Sequence, residues 1–456
     1  MTTGQASDPD LLVIGAGPAG TAAATSAAAL GAKVMLVEQS LIGGVAHLLD
    51  CIPSKTMTAT AIRIDSIHNA AKLGLVAEPS MVDPKQLAER IRSITGDINR
   101  GWVDLLSSQG VELVQGTGAL NGPHRAVLTR EGLERHVTFR SALISTGSSP
   151  RVPAWAELDG ERVLTTRDCY DLPEIPQHLV VIGSGVTGVE MVHIFSSLGS
   201  QVTLVVSRQQ VLPHRDPEVA AVLEKAFLEV GVRLLIGARA ASIERDGDAV
   251  TVVCDDGRRV SGSHALLAIG AIPNTEGLGL REAGVDVDGS GFIPVDEHQR
   301  TSLAHVYAAG DCTGQMLLSS VAAAQGRKIA RHVLGLPVSS LDLTKAAQAV
   351  FTEPEIAWVG LEEADAAALG RKVRTTKVPF AANARSVLQG NPEGFVKVIS
   401  DPATGVVLGG TIVGHRASEL IGILALAVQA RVTVGTLVET VMVHPSLSES
   451  ITDAAE

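Results

Sequence analysis

Two stretches of the chain carry the same pattern of apolar and glycine positions. Residues 11–20, LLVIGAGPAG, run an apolar strand into a glycine turn; TAAATSAAALG then reads as an Ala-rich helix ending at Gly31, and KVMLVE, residues 33–38, as a second buried strand. Residues 179–206, LVVIGSGVTGVEMVHIFSSLGSQVTLVV, restate it, with Gly183, Gly185 and Gly188 in the places of Gly15, Gly17 and Gly20. In both copies 16 residues separate the first glycine from the helix-ending glycine, Gly31 or Gly199. Such a repeat predicts two nucleotide-binding domains in one chain. Between the copies, residues 56–116 are mostly helical by apolar spacing, and from about 111 the strand-like runs VELVQGTGAL, AVLTREG and HVTFRSALISTG follow. HALLAIGAIPNT closes a strand, and TSLAHVYAAGDCTG, residues 301–314, leads into the helix SSVAAAQGRKIARHVLG. From about 341, FVKVIS and VVLGGTIVG call for an antiparallel sheet with helices, and the apolar helix 417–430 suits an oligomer face and a buried core position equally.

Length sharpens this reading: 456 residues exceed one hydrophobic core and suit about three domains. The 46 Gly and 20 Pro fit strands and helices joined by tight turns, while 7 Phe, 3 Trp and 2 Tyr offer few platforms for stacking on single-stranded nucleic acid. The balance of 37 basic and 49 acidic residues gives a net charge of −12, and no Lys or Arg run could neutralise a phosphate backbone. Nucleic acid is therefore excluded as a partner. Cysteines 51, 169, 254 and 312 are too few and too scattered for a disulfide framework or a metal site, which leads us to expect a reducing, cytoplasmic compartment. The opening MTTGQASDPD lacks the basic region of a secretory signal, and no membrane span is expected.

The glycine turns carry the first chemistry. Gly15 permits the tight turn, Gly17 lets the backbone approach a pyrophosphate, and Gly20 allows the helix to pack close on the strand, with phosphates resting on the helix N-terminus. Glu38, 23 residues after Gly15, ends the second strand where a carboxylate can accept from ribose hydroxyls. The second copy has Val206 in that place, followed by Ser207 and Arg208. A hydroxyl and a guanidinium there hold a 2′-phosphate that an acid would repel, which favours NADPH over NADH. The alternative is that Arg208 is an ordinary solvated turn residue.

Two dinucleotide folds, AAGDCTG at 308–314 and CIPSK at 51–55 together resemble the class I pyridine nucleotide-disulfide oxidoreductase family over essentially the whole chain. The resemblance implies a glutathione reductase-like α/β architecture: two doubly wound three-layer domains, binding FAD and NAD(P)H, and a C-terminal α+β dimerisation domain. The boundaries it suggests are 1–150 and 271–340 for the FAD domain, 151–270 for the NAD(P)H domain and 341–456 for the interface. It places FAD on Gly15, Gly17, Gly20 and Glu38, extends cofactor contacts to Gly44, Thr146, Gly147, Gly270 and Gly310, sets Asp311 at the ribityl or phosphate region, and lines the flavin with Met316, Leu317 and Leu318. Lys55 resembles the lysine beside flavin N5, ion-paired with Glu190, where it stabilises negative charge on the reduced ring. His444, oriented by Glu449, resembles the histidine that crosses the homodimer interface. It either protonates a reduced quinone oxygen or caps the dimer contact.

One departure outweighs these matches. Dithiol members read GGTCxxxxC before IPSK, whereas this chain reads GGVAHLLDC, so Ala46 stands at the first cysteine position and Cys51 alone remains. Electrons then have no resident dithiol to carry them to a disulfide substrate. Cys51 is expected at a helix N-terminus ahead of Pro53, where the dipole favours thiolate. It serves there as a charge-transfer or sulfenic-acid group, or is a relic packed against FAD. His47 lies in the same altered loop and could face the flavin. A second departure is Ala271, where relatives often carry Arg near the nicotinamide nucleotide, and it weakens the NADPH reading. The whole pattern resembles the LpdA-type NAD(P)H quinone reductases. It implies hydride transfer from NAD(P)H to FAD N5, followed by direct reduction of a quinone or similar small acceptor. The alternatives are a soluble pyridine nucleotide transhydrogenase and a non-enzymatic FAD-bound regulatory dimer.

Overall fold

The computed structural model describes residues 8–78 and 80–456; residues 1–7, on which part of the N-terminal reading rests, lie outside them. The chain divides into two compact units. One holds the described residues through Pro53 with Glu89–Arg151 and Ala271–Leu343, the other Ser54–Ala88, Val152–Gly270 and Thr344–Glu456.

In the first unit, β1 (Leu11–Ile14) lies at the centre of a parallel five-stranded sheet, flanked by β2 (Val34–Glu38) and Ser141–Ile144. Glu112–Gln115 and Val306–Ala308 form the edges, so the segment after Ala271 returns to complete the sheet that the N-terminus begins. Every residue of LLVI is buried, as a strand covered on both faces requires. An antiparallel meander, Thr117–Leu120, Arg125–Arg130 and Leu133–Thr138, is inserted between the edge strand and Ser141–Ile144. The Ala-rich helix α1 (Pro18–Ala29) follows β1 and packs on the helix Ser319–Val333 with little between the two backbones. A Cβ on Gly326 would overlap the carbonyl oxygen of Ala19. The helical stretch expected after residue 56 is two helices, α2 (Ile52–His68) and α3 (Pro84–Ser108).

The second unit repeats the design. His178–Ile182 is the central strand, with Gln201–Val206 and Arg233–Ile236 on one side and His264–Leu267 and Val163–Thr165 on the other, all parallel. Helix α4 (Val186–Ser197) occupies the position of α1. A second meander, Ala240–Asp246, Ala249–Cys254 and Arg259–Gly262, is inserted at the equivalent point. The repeat therefore extends well past the segments in which the sequence shows it.

The same unit ends in the expected antiparallel sheet, ordered Gln348–Val350, Glu355–Gly360, Val407–Gly414, Phe395–Ser400 and Arg374–Pro379. The helix Ala417–Ala430 buries Ala417, Ile421, Leu424, Ala427 and Val428 in that core, while Leu426 on another face is exposed. Lys397, only 4% exposed, places Nζ 2.6 Å from Asp216 and 2.8 Å from Glu363, with Glu218 at 3.1 Å. Burial opposes its charge, but the hydrogen bonds to these carboxylates outweigh that cost and raise the ammonium pKa.

Gly→Ala inside a helix ordinarily gains about 1 kcal/mol. At Gly326 the collision with Ala19 reverses the sign, and Gly326→Ala should lose roughly 1–3 kcal/mol in thermal or urea unfolding. Gly289→Ala, at an exposed position where nothing approaches, should stay within about 0.5 kcal/mol of the parent. Equal stability of the two variants would show that the close helix contact is not limiting.

Candidate functional site

The first glycine turn is shaped by steric exclusion. Gly15 has φ +101° and a Cβ there would overlap the carbonyl of Ser145; one on Gly20 would overlap the carbonyl of Gly15, and one on Gly44 the Cα of Gly17. Gly17 is the N-cap of α1, with no side-chain cap and no acid in the first turn. Such a helix end presents unopposed amide dipoles and fits a pyrophosphate. Glu38 is buried, and its carboxylate accepts from the amides of Ala16 (2.8 Å) and Ser40 (2.7 Å). Two amides use half the acceptor capacity of a carboxylate, so the group fits ribose hydroxyls as well.

Other loops of this unit are held in place by residues that the sequence does not single out. Thr146 Oγ1 donates to the carbonyl of Asn274 (2.6 Å), Asn274 Nδ2 donates to the carbonyl of Thr146 (3.1 Å), and the Asn274 amide donates to the carbonyl of Gly147. Gly310, at φ +75°, donates its amide to Gln325 Oε1 (2.9 Å). Gln325 is a buried polar residue in the apolar face of Ser319–Val333, and that interruption is the one sequence signal that marks it. Asp311 accepts from Ser148 Oγ at 2.7 Å. Burial raises its carboxyl pKa, Ser148 opposes this, and Asp50 adds to it. Met316 is half-buried, Leu317 exposed, and Leu318 caps the helix Ser319–Val333.

The altered loop corrects one expectation. Residues His47–Cys51 form a π-helical turn that continues directly into α2, with the Ile52 amide bonded to the carbonyl of His47. Cys51 therefore lies inside a helical run that begins at Val45, and not at a helix N-terminus. Pro53 has no N–H to donate and its ring crowds the carbonyl four residues earlier; a widened turn accommodates both. The dipole argument for a Cys51 thiolate is lost with the helix end. His47 Nδ1 is buried without a hydrogen-bond partner, and burial lowers the pKa of the ring.

In the second unit, α2 and α4 bring Lys55 and Glu190 together. Lys55 Nζ is 2.6 Å from Glu190 Oε2, the other carboxylate oxygen accepts from the Phe351 amide at 2.9 Å, and the ammonium sits 4.6 Å from the centre of the Phe351 ring. This fixes a cation at one end of α2 against a carboxylate with both oxygens engaged. The second glycine turn reproduces the first: Gly183 has φ +110° against the Ala268 carbonyl, Gly185 is the uncapped N-cap of α4, and a Cβ on Gly188 would overlap the Gly183 carbonyl. Ser207 and Arg208 follow Gln201–Val206 and are exposed, and Arg208 forms no ion pair among the described residues. Gly270 has φ +96°.

His444 and Glu449 also meet. His444 Nδ1 is 2.8 Å from Glu449 Oε1, and the Ser446 amide donates to Glu449 Oε2. That amide, followed by His444, holds the Glu449 carboxyl below its ordinary pKa. The His444 side chain is 74% exposed, so its second ring nitrogen faces open surroundings in the single chain.

Comparison with known proteins agrees with this geometry. A family model described as pyridine nucleotide-disulphide oxidoreductase matches residues 9–326, and one described as the dimerisation domain of that family matches residues 346–455. A protein of Mycobacterium tuberculosis named NAD(P)H dehydrogenase (quinone) is 42% identical over 463 residues, covering 98% of this chain and 93% of the relative. A dihydrolipoyl dehydrogenase of Chlorobaculum tepidum is 35% identical over 451 residues, covering 98% and 96%. The crystal structure of LpdA from Mycobacterium tuberculosis matches with a TM-score of 0.93 at 42% identity and 98% of each chain. The HOCl-induced flavoprotein disulfide reductase RclA of Escherichia coli matches with 0.87 at 25% identity, covering 98% of this chain and 99% of that one. The architecture is glutathione reductase-like, and its C-terminal part matches the dimerisation domain of the family. Among the described residues no helix is long and apolar enough to cross a membrane. The chain belongs to the pyridine nucleotide-disulphide oxidoreductase family, whose cofactors are FAD and NAD(P)H.

Proposed function

We propose that the chain is an FAD-dependent NAD(P)H:quinone oxidoreductase that works without a dithiol relay. Ala46 carries this reading, because the turn it caps holds one thiol, Cys51, where a disulfide reductase needs two. The remaining cysteines do not replace the missing one. Cys312 is fully buried and its pKa is pushed up to about 12 by burial, and burial likewise raises Cys169 and Cys254. Thiols held protonated in this way are poor nucleophiles. The 42% identical relative named NAD(P)H dehydrogenase (quinone) supports the same assignment.

The boundaries proposed are those of the sequence reading: an FAD domain of residues 1–150 and 271–340, an NAD(P)H domain of 151–270 and an interface domain of 341–456. When bound, FAD supplies a two-electron centre that takes hydride from the nicotinamide and reduces a quinone directly. The chain's residues bind and tune it. Gly15, Gly17 and Gly20 hold the pyrophosphate on the end of α1, Glu38 holds the ribose, and Lys55, paired with Glu190, favours the reduced ring. Gly183, Gly185 and Gly188 hold the nicotinamide nucleotide, with Ser207 and Arg208 receiving a 2′-phosphate. With Nδ1 turned to Glu449, His444 has Nε2 to hold or deliver a proton to the acceptor bound by the opposite subunit of a homodimer.

Three measurements test this reading. Pre-reduced enzyme mixed anaerobically with menadione should be reoxidised at once; a rate no faster than that of anaerobic buffer would sink the quinone assignment, and reoxidation by NAD+ alone would favour a transhydrogenase. Anaerobic titration with NADPH should stop at two electrons per FAD, because no second thiol is present to accept two more. Arg208→Ala should raise KM for NADPH roughly tenfold to a hundredfold, the loss of one charge-assisted hydrogen bond, while KM for NADH stays within about twofold.

A further inference from the structure

Below the Lys55–Glu190 pair, α2 and α4 share a second polar contact that the proposed mechanism does not use. His193 lies one turn after Glu190 on α4, with a side chain only 5% exposed. Its Nδ1 is 3.9 Å from Asp65 Oδ2 of α2, too far for a hydrogen bond, and its Nε2 has no hydrogen-bond partner. Asp65 is held by Ser197 Oγ, one turn further along α4, at 2.9 Å. The two helices thus carry a ladder of paired groups whose upper rung is closed and whose lower rung is left half made.

An unpartnered imidazole in such a place is costly, and a hydrophobic residue of similar size would serve packing better. What distinguishes it is the company it keeps. Asp65 faces it from α2, Glu190 from its own helix, and Glu353 from the turn after Gln348–Val350. Glu353 in turn lies 3.9 Å from His415, and His68 acts on Asp65. Lys55 is the neighbouring fixed cation, already committed to Glu190. Three carboxylates surround this one uncommitted imidazole, so its protonation adds a positive charge next to the Lys55–Glu190 pair.

We propose that His193 is a positioning residue for the Lys55–Glu190 pair, one that takes up a proton from solvent and, when protonated, offsets the negative charge of Glu190 and leaves more of the Lys55 charge directed at its ligand. This rests on the reading above, in which Lys55 acts on bound FAD. The balance is simple: one proton enters from solvent, no bond to carbon forms or breaks, and the cluster gains one positive charge. Burial lowers the His193 pKa, while Asp65, Glu353 and Glu190 pull it upward without restoring it; burial also raises Asp65. His193 is accordingly neutral at pH 7 and gains its proton below the ordinary histidine value of about 6.5. Added positive charge favours reduction of the flavin, so the effect appears on the acid side.

The test is anaerobic stopped-flow reduction of the oxidised holoenzyme by NADPH between pH 5 and 8 with no acceptor present, together with a pH titration of the oxidised flavin spectrum. In the parent, the reduction rate should rise on the order of tenfold through a break below pH 6.5 as the cluster gains one positive charge, and the flavin band should shift with the same midpoint. His193→Asn should remove both the break and the band shift. Asp65→Asn should move both to lower pH, because the imidazolium loses its nearest anion. Retention of the break in His193→Asn with full FAD content would overturn the proposal, as would an unmoved midpoint in Asp65→Asn. If His193→Asn fails to hold FAD, the Asp65→Asn midpoint decides. Because no quinone is present, failure of the quinone assignment leaves this readout intact, and the menadione experiment is equally blind to His193.

Discussion

Neither nucleotide turn has room for a side-chain carbon at its first and third glycines, and most of the architecture follows from that exclusion. With Gly20 against the carbonyl of Gly15, and Gly188 against that of Gly183, each helix begins directly over the end of its strand. Its first turn is thereby left bare of side-chain caps and aimed at whatever lies beyond the sheet. Close approach then propagates. A helix pressed this near its sheet must be built from small residues, and Ala19, Ala23 and Ala27 of α1 are all buried; the helix packed on it answers with Gly326. The abundance of alanine and glycine and the scarcity of aromatic rings are thus one property: narrow gaps between backbones leave little volume for larger groups.

Those parts of the fold governed by local pattern were legible in the sequence. The strand, turn and helix of each copy are contiguous, and LLVI and LVVI are apolar throughout because both faces of a parallel strand are covered. Strand-like runs were read in the first meander, but not that they belong to the repeat, since such strands are half exposed and mix charged with apolar residues; Leu133–Thr138 buries only Val137. The fifth strand of each sheet was legible unequally: the resemblance implied that 271–340 returns to the first domain, whereas no strand was read at Val163–Thr165. Val306–Ala308 comes from far downstream in one case and Val163–Thr165 from just upstream in the other.

Residues placed by their own motif can be named from the sequence, and residues placed by a distant partner cannot. Glu38 and Glu190 stand at fixed offsets from their glycines. Asn274 and Lys397 do not: the first is defined by Thr146 and Gly147, the second by Asp216, and each pairing spans more than a hundred residues of chain. Lys397 reads as a polar break in FVKVIS, when in fact a buried ammonium there binds the antiparallel sheet to the helix that begins at Pro217. Cys51 failed for another reason. Pro53 ordinarily signals a helix start, and the widened turn before it lets the helix begin several residues sooner than that rule allows.

Ala46 has a consequence beyond electron transfer. In a turn of this kind positions five apart lie on the same side, so a cysteine at 46 would face Cys51 and the two sulfurs would form a claw. With a methyl group there, the turn offers a thiophilic ion or a trivalent arsenical a single sulfur and no chelate ring to close. Nor can an oxidant shut the site by joining the two positions. The residue that leaves Cys51 without a partner at position 46 thus removes a chelating pair and a cross-linking pair at once.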